Sequence, residues 1–204
     1  MAKNLLQIFS KYQPSEQQAS WLLTGTDIRM RVDKEQRMLE ASAAFPALVK
    51  KADLYAFEAE AAKVYELAHL RLLPRYPAEF FSEDYIPELI AETERIGIVA
   101  KGFFHTYDAH IVGDELIIEM PYLDESLLLM KLGQTHEVIS GIIRAEFGLN
   151  FRVTIRHSAE LAADYSLDRS AELQSGASSC AAPARNTSAD KQLLPLSQVQ
   201  AASP

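Results

Sequence analysis

The chain alternates between stretches of two-residue and of helical hydrophobic spacing, and that order predicts its elements. Pro14 is followed by Ser15 and Gln18 in a capping-box pattern, which predicts a short helix through Trp21–Leu23. Ile28, Met30 and Val32 then alternate with Arg29 and Arg31, the pattern of a half-buried strand. After the polar turn Lys34-Glu35-Gln36, Leu39, Ala41, Ala43 and Phe45 alternate again, so residues 27–45 read as a β-hairpin ended by Pro46. Leu54, Phe57, Ala61, Val64 and Tyr65 recur at helical spacing behind Asp53, a candidate cap for a helix to about Glu66. Leu70 and Leu72 mark a strand stopped by Pro74 and Pro77.

The same order then returns. Ser82, followed by Glu83 and Asp84, predicts a helix start, with Ile86, Leu89, Ile90, Thr93 and Ile96 on one face and Gly97 past its end. Phe103-Phe104 is expected to open a second hairpin that turns near Gly113-Asp114, with Leu116, Ile118 and Met120 as its inner stripe. Asp124 caps a helix broken at Gly133, a second helical piece carries Val138, Ile139, Ile142, Ile143 and Phe147 up to Gly148, and Phe151, Val153 and Ile155 form a last strand. The prediction is an α+β fold with α-β-β-α-β order twice, in domains 1–76 and 77–160, each a hairpin plus a third strand packed on helices. Residues 161–204 are rich in Ser, Ala, Gln and Pro without sustained periodicity, and read as a disordered linker or tail.

Charge narrows the function classes. The chain of 204 residues carries a formal net charge of -8, all of it in residues 1–164, which hold 25 acids against 17 bases. A broad basic footprint for a nucleic-acid backbone is absent. No apolar run approaches the roughly 18–20 residues that span a bilayer, and the N-terminus MAKNLLQIFSKYQ lacks the apolar region of a signal peptide. A cytoplasmic protein without membrane contact is the expectation. The single cysteine, Cys180, lies in the tail and rules out an internal disulfide.

Candidate chemistry is sparse. His105 and His110 straddle Tyr107 and Asp108, but strand alternation sends them to opposite faces and leaves a metal without further ligands. His136-Glu137 begins a zincin pattern, which fails because position 140 is Ser140. Neither a glycine-rich phosphate loop nor a GxSxG elbow occurs. The carboxylates Glu83, Asp84, Glu88, Glu92 and Glu94 alternate with an apolar stripe and read as a solvated helix face. No catalytic, cofactor-binding or metal-binding residue is predicted. Arg29 and Arg31, with Arg71, Arg152 and Arg156, offer a small basic strip for phosphates or an acidic partner. One ring of Phe103-Phe104 is expected to face away from its own core, between the halves or toward a partner. Arg29, Arg31, Phe103 and Phe104 are therefore the candidate partner-binding residues.

The segments LRLLPRYP (70–77), FFSEDYIPELI (80–90), RIGIVAKGFF (95–104), GDELIIEMPY (113–122) and VISGIIRAEFGLNFRVTI (138–155) occur together and in order. On these, residues 1–160 resemble the N-terminal region of the PolC-type DNA polymerase III alpha subunit of Gram-positive bacteria. The resemblance implies two small domains, the second type II KH-like, ahead of an OB-fold, a 3′–5′ exonuclease and a DNA-directed DNA polymerase. It also implies a likeness to the polymerase-binding domain of the clamp-loader tau subunit. The expected role is non-catalytic: protein contacts with replisome partners such as the clamp loader or polymerase-associated subunits. Mg²⁺ and contact with DNA are implied only for the parent enzyme, whose metal-binding aspartates would lie beyond Pro204. The alternative is a single-stranded nucleic-acid-binding KH-like module using stacked aromatics and arginine. A KH domain clamps the backbone with a GXXG loop, and no such loop occurs; Gly97 and Gly102 are five apart.

Overall fold

The computed structural model describes residues 4–97, 100–122 and 124–163, and the side chains of these except residues 124 and 125. The predicted tail, with Cys180, lies outside the described residues. The described residues belong to one compact unit built on two three-stranded sheets, each packed on helices.

The first half opens with two short capped helices, α1 (Leu5–Ile8) and α2 (Glu16–Leu22). Ser15 Oγ accepts from the Gln18 backbone N–H at 3.2 Å, and the Gln18 side chain accepts from the Ser15 N–H at 2.9 Å, the reciprocal box expected of this sequence. β1 (Thr26–Asp33) and β2 (Met38–Ala44) form the hairpin, α3 (Lys51–Val64) crosses over, and β3 (His69–Arg75) returns parallel to β2. The strand order is β1-β2-β3. The buried face is Leu39, Ala41 and Ala43 of β2 beside Leu70 and Leu72 of β3. Phe57 of α3 is fully buried against it, with Phe9, Tyr12 and Trp21 edge-on at ring-centroid distances of 5.2, 5.3 and 5.7 Å. T-shaped contacts at these spacings suit the ring quadrupole.

In the second half, 3-10 turns at Ala78–Phe80 and Glu83–Tyr85 lead into α4 (Ile86–Ile96). β4 (Asp108–Val112) and β5 (Glu115–Met120) pair antiparallel; α5 (Asp124–Leu132) and α6 (Thr135–Phe147) follow; β6 (Arg152–His157) runs parallel to β5. The order is β4-β5-β6. Leu116, Ile118 and Met120 are fully buried in the same core cluster as Leu89 and Ile143. Gln134, in the left-handed region at φ 52°, turns the chain between α5 and α6, and Gly148 ends α6 at φ 70°, where a side chain would be strained.

Four local expectations change. α3 begins at Lys51 after Lys50 rather than at an Asp53 cap. Pro74 lies inside β3, opposite Ala43, because β3 is an edge strand on which a missing N–H breaks no ladder bond. β1 is exposed at every position except half-buried Ile28; its inward residues Met30 and Val32 extend beyond the helices that cover β2 and β3. Phe103-Phe104 lies in a turn ahead of β4, not in a strand, so alternation does not govern these rings.

Phe57 touches the aromatic ring set from three sides, so its truncation leaves a cavity the rings cannot close together. Phe57→Ala is expected to lower unfolding free energy by about 3–5 kcal/mol, read as a shift in the urea midpoint at unchanged slope.

Candidate interaction surface

The halves meet across α3 and β3 on one side and α4 and α6 on the other, and charged side chains fill that seam. Lys51, at the first turn of α3, is 2% exposed and ion-pairs with Glu146 on α6, itself 5% exposed. Tyr85 donates to the other Glu146 oxygen at 2.7 Å, and the Lys51 backbone N–H donates to Glu88 of α4 at 2.7 Å. The Tyr76 N–H donates to the Glu146 carbonyl at 2.6 Å. A second cluster lies alongside. Glu92 of α4 accepts from the Tyr55 hydroxyl at 2.6 Å, from Arg71 at 3.0 Å and from Arg95 at 3.2 Å. Glu58 of α3 accepts from the Leu72 backbone N–H at 2.6 Å and from Arg95 at 2.5 Å, and the Arg95 guanidinium lies 4.2 Å from the Tyr55 ring centre.

These buried charges correct the expected solvated acid face in part: Glu83 and Asp84 are exposed, but Glu92 is 4% exposed and Glu88 is spent on the neighbouring half. The signal was present in the spacing. Lys51, Leu54, Glu58 and Ala61 share one stripe of α3, and Ile139, Ile142 and Glu146 share one stripe of α6. A charge at a stripe position is a buried charge that needs a partner.

The seam carboxyls Glu146, Glu58 and Glu92 are shifted in opposite senses. Burial pushes every one of them up, and their partners decide the outcome. Glu146 and Glu58 stay raised, because burial outweighs Lys51 and Tyr85 for the first and the Leu72 N–H and Arg95 for the second. Burial also pushes Glu92 up, but the Tyr55 hydrogen bond and the charges of Lys51 and Arg95 prevail, and its carboxyl ends below the ordinary value.

The predicted partner residues fall apart in space and in kind. Arg29 and Arg31 project from the exposed edge strand β1; Arg29 is 73% exposed at its side chain and reaches Asp27 at 3.4 Å. Phe104 is 5% exposed and packs on Tyr107 within the core. Phe103 is half-buried, edge-on to Tyr122 at 5.8 Å. The rest of the basic strip is mostly engaged: Arg71 with Glu92 and Arg156 with Glu119. His105 sits in the turn before β4 with its ring on the Gly102 carbonyl and the Tyr122 hydroxyl. Among the described residues, no three His, Cys, Asp or Glu side chains are grouped to hold a metal.

Several concavities open among the described residues, including one of about 560 Å³ beside Tyr12 and Glu60 and one of about 570 Å³ beside Tyr55 and Arg95. A cleft of about 610 Å³ opens between the halves, lined by Thr26, Phe45, Arg75, Tyr76, Arg144 and Phe147. Its cations are partnered, Arg75 with Asp27 at 2.6 Å and Arg144 with Asn150 at 2.9 Å. Two smaller hollows, of about 240 and 410 Å³, run along β6 beside α5 and α6 and share His136 and Val153. Sequence reasoning missed this groove because its lining alternates between helix and strand. Lys131 and Arg152 stand on its walls, and Leu128, Leu129 and Leu132 are exposed on α5. Among the described residues, no helix is long and apolar enough to cross a membrane. The sequence matches no protein-family model and no curated protein.

Removing one member of a buried pair strands the other. Lys51→Met or Glu146→Leu alone is expected to cost about 3–5 kcal/mol, and the double variant much less than the sum; additive urea-midpoint shifts would contradict the pairing. The seam also predicts a pH dependence. Glu58 binds its proton more tightly folded than unfolded, so its contribution is full below the ordinary carboxylate range and falls as pH rises through its raised value. Glu58→Gln should flatten that decline. Glu92 has the other sign, and Glu92→Gln should lessen the loss of stability as pH falls through its lowered value. Urea midpoints taken across the pH series read both slopes.

Proposed function

We propose that this chain is the non-catalytic N-terminal segment of a PolC-type replicative DNA polymerase, working in the cytoplasm by holding the enzyme to other replisome proteins. The observation that carries the reading is where the resembling segments fall. LRLLPRYP supplies Arg71 and Tyr76, FFSEDYIPELI supplies Tyr85 and Glu88, and VISGIIRAEFGLNFRVTI supplies Glu146. These residues make the seam between the halves. A resemblance concentrated on an internal joint is a resemblance of architecture, which suits a segment that positions rather than catalyses. The second half, with α5 and α6 between its parallel strands, fits the type II KH-like expectation. Mg²⁺ belongs, on this reading, to the carboxylates of the parent's polymerase and exonuclease.

The reading frame beyond Pro204 tests the proposal. It is expected to continue into OB-fold, exonuclease and polymerase sequence; a stop codon there would overturn it. The purified chain is expected to extend no primer with Mg²⁺ and deoxynucleotides.

The groove beside β6 favours a second reading, a single-stranded nucleic-acid module, because Lys131, His136 and Arg152 line it. Against it, the α5–α6 turn reads Gly133-Gln134-Thr135-His136 and lacks the second glycine of the backbone clamp. Affinity for a labelled oligonucleotide that falls steeply with salt and is lost in Lys131→Glu would favour this second reading.

A further inference from the structure

Two of the four sheet edges are closed by carboxylates. On β3 the Leu72 N–H donates to Glu58, and on β4 the Ile111 N–H donates to Glu83 at 2.8 Å while the Ala109 N–H donates to Asp108 at 2.9 Å. β6 keeps its apolar positions Val153 and Ile155 buried or half-buried. β1 differs. Its eight residues lie at the end of the sheet order, and every one of them except half-buried Ile28 is exposed. Met30 and Val32 are 43% and 59% exposed on its inward face. Arg29 and Arg31 stand on the outward face, and Arg31 has no ion-pair partner among the described residues. An open edge with unpaired peptide groups and exposed apolar side chains is a template for one more strand.

We propose that β1 is a docking edge for an extended segment of a protein partner in which acidic and apolar side chains alternate. The segment adds to the first sheet beside β1. Main-chain hydrogen bonds supply affinity, and the alternate side chains supply register. Its acids lie opposite Arg29 and Arg31, and its apolar residues cover Met30 and Val32. Charge narrows the choice locally: Arg31 makes no ion pair among the described residues and Arg29 only a 3.4 Å contact to Asp27, so acidic side chains are what these two positions can still take. A second copy is the poorer occupant. Two-fold antiparallel pairing of β1 centred on Met30 opposes Arg29 to Arg31, like charges that destabilise a sheet, and centred on Arg31 it gains Arg29 opposite Asp33 but sets Arg31 against itself, whereas an acidic segment meets both arginines with acids. Centring on Val32 runs into the turn that begins at Lys34. The inference rests on the reading of this segment as one that works through protein contacts, and it identifies the edge and the chemistry of the contact.

The test uses the full chain and a fluorescein-labelled octapeptide of alternating Glu and Val, with a Lys-Val octapeptide as its counterpart. Anisotropy titration is expected to show binding of the Glu-Val peptide, with amide exchange slowed in Thr26–Asp33. Val32→Lys should weaken it at least tenfold. The double substitution Arg29→Glu with Arg31→Glu should switch the preference to the Lys-Val peptide. All these side chains are exposed, so circular dichroism melts serve as the folding control. Absence of binding by the folded chain, binding indifferent to these substitutions, or protection elsewhere would overturn the proposal. So would a dimer by light scattering that Val32→Lys disperses, or displacement of the peptide by single-stranded oligonucleotide at lower concentration than by unlabelled peptide. Failure here leaves the reading-frame result standing, and a stop codon after Pro204 leaves the peptide result standing.

Discussion

The Lys51–Glu146 pair is the contact on which the arrangement of the two halves depends. Two opposite charges, each nearly sealed from water, are stable only when every polar atom around them is used. Glu146 therefore also takes the Tyr85 hydroxyl, and the Lys51 backbone N–H reaches Glu88. Apolar surfaces slide past one another at little cost, but a buried pair has one register. It fixes the start of α3 against the end of α6, and with them the sheet each helix covers.

The Glu58–Arg95–Glu92 cluster repeats that logic beside it and adds a second effect. By accepting the Leu72 N–H, Glu58 uses up a donor on the outer edge of β3 while holding α4 through Arg95. One carboxylate thus joins the halves and closes a sheet edge. Glu83 closes part of β4 in the same way. Openness at β1 contrasts with β3 and β4, where acids of this chain are spent on edge N–H groups.

The regular parts of the fold were legible because hydrophobic spacing writes them directly. The hairpin over 27–45 and the stripe Leu116, Ile118, Met120 followed from alternation, and the Ser15 box from its spacing. Legibility failed where tertiary contact decides. Periodicity placed Met30 and Val32 on an inner face correctly, but it carried no information on how far the helices reach across the sheet. It assigned Glu92 to solvent because a carboxylate was read by type and not by position on the stripe. Phe103 and Phe104 were read as strand because aromatic pairs favour strands, whereas a turn lets one ring bury and the other stay half-open. The cleft and the β6 groove join residues from distant elements, so no local spacing announces them.

A rigid joint and an open edge complement each other on the proposed reading. A segment that positions a large enzyme must transmit orientation, and a freely hinged pair of domains transmits none. The charged seam removes that freedom, because rotating one half against the other would separate buried partners before new ones formed. Whatever docks along β1 is then held at a set orientation to α4, α6 and the second sheet. Edge addition suits this use, because a strand joined by main-chain hydrogen bonds takes its direction from the sheet it extends. The alternation of arginine with exposed apolar residues supplies what the backbone cannot, since a one-residue slip of the added strand would set its acids against Met30 and Val32.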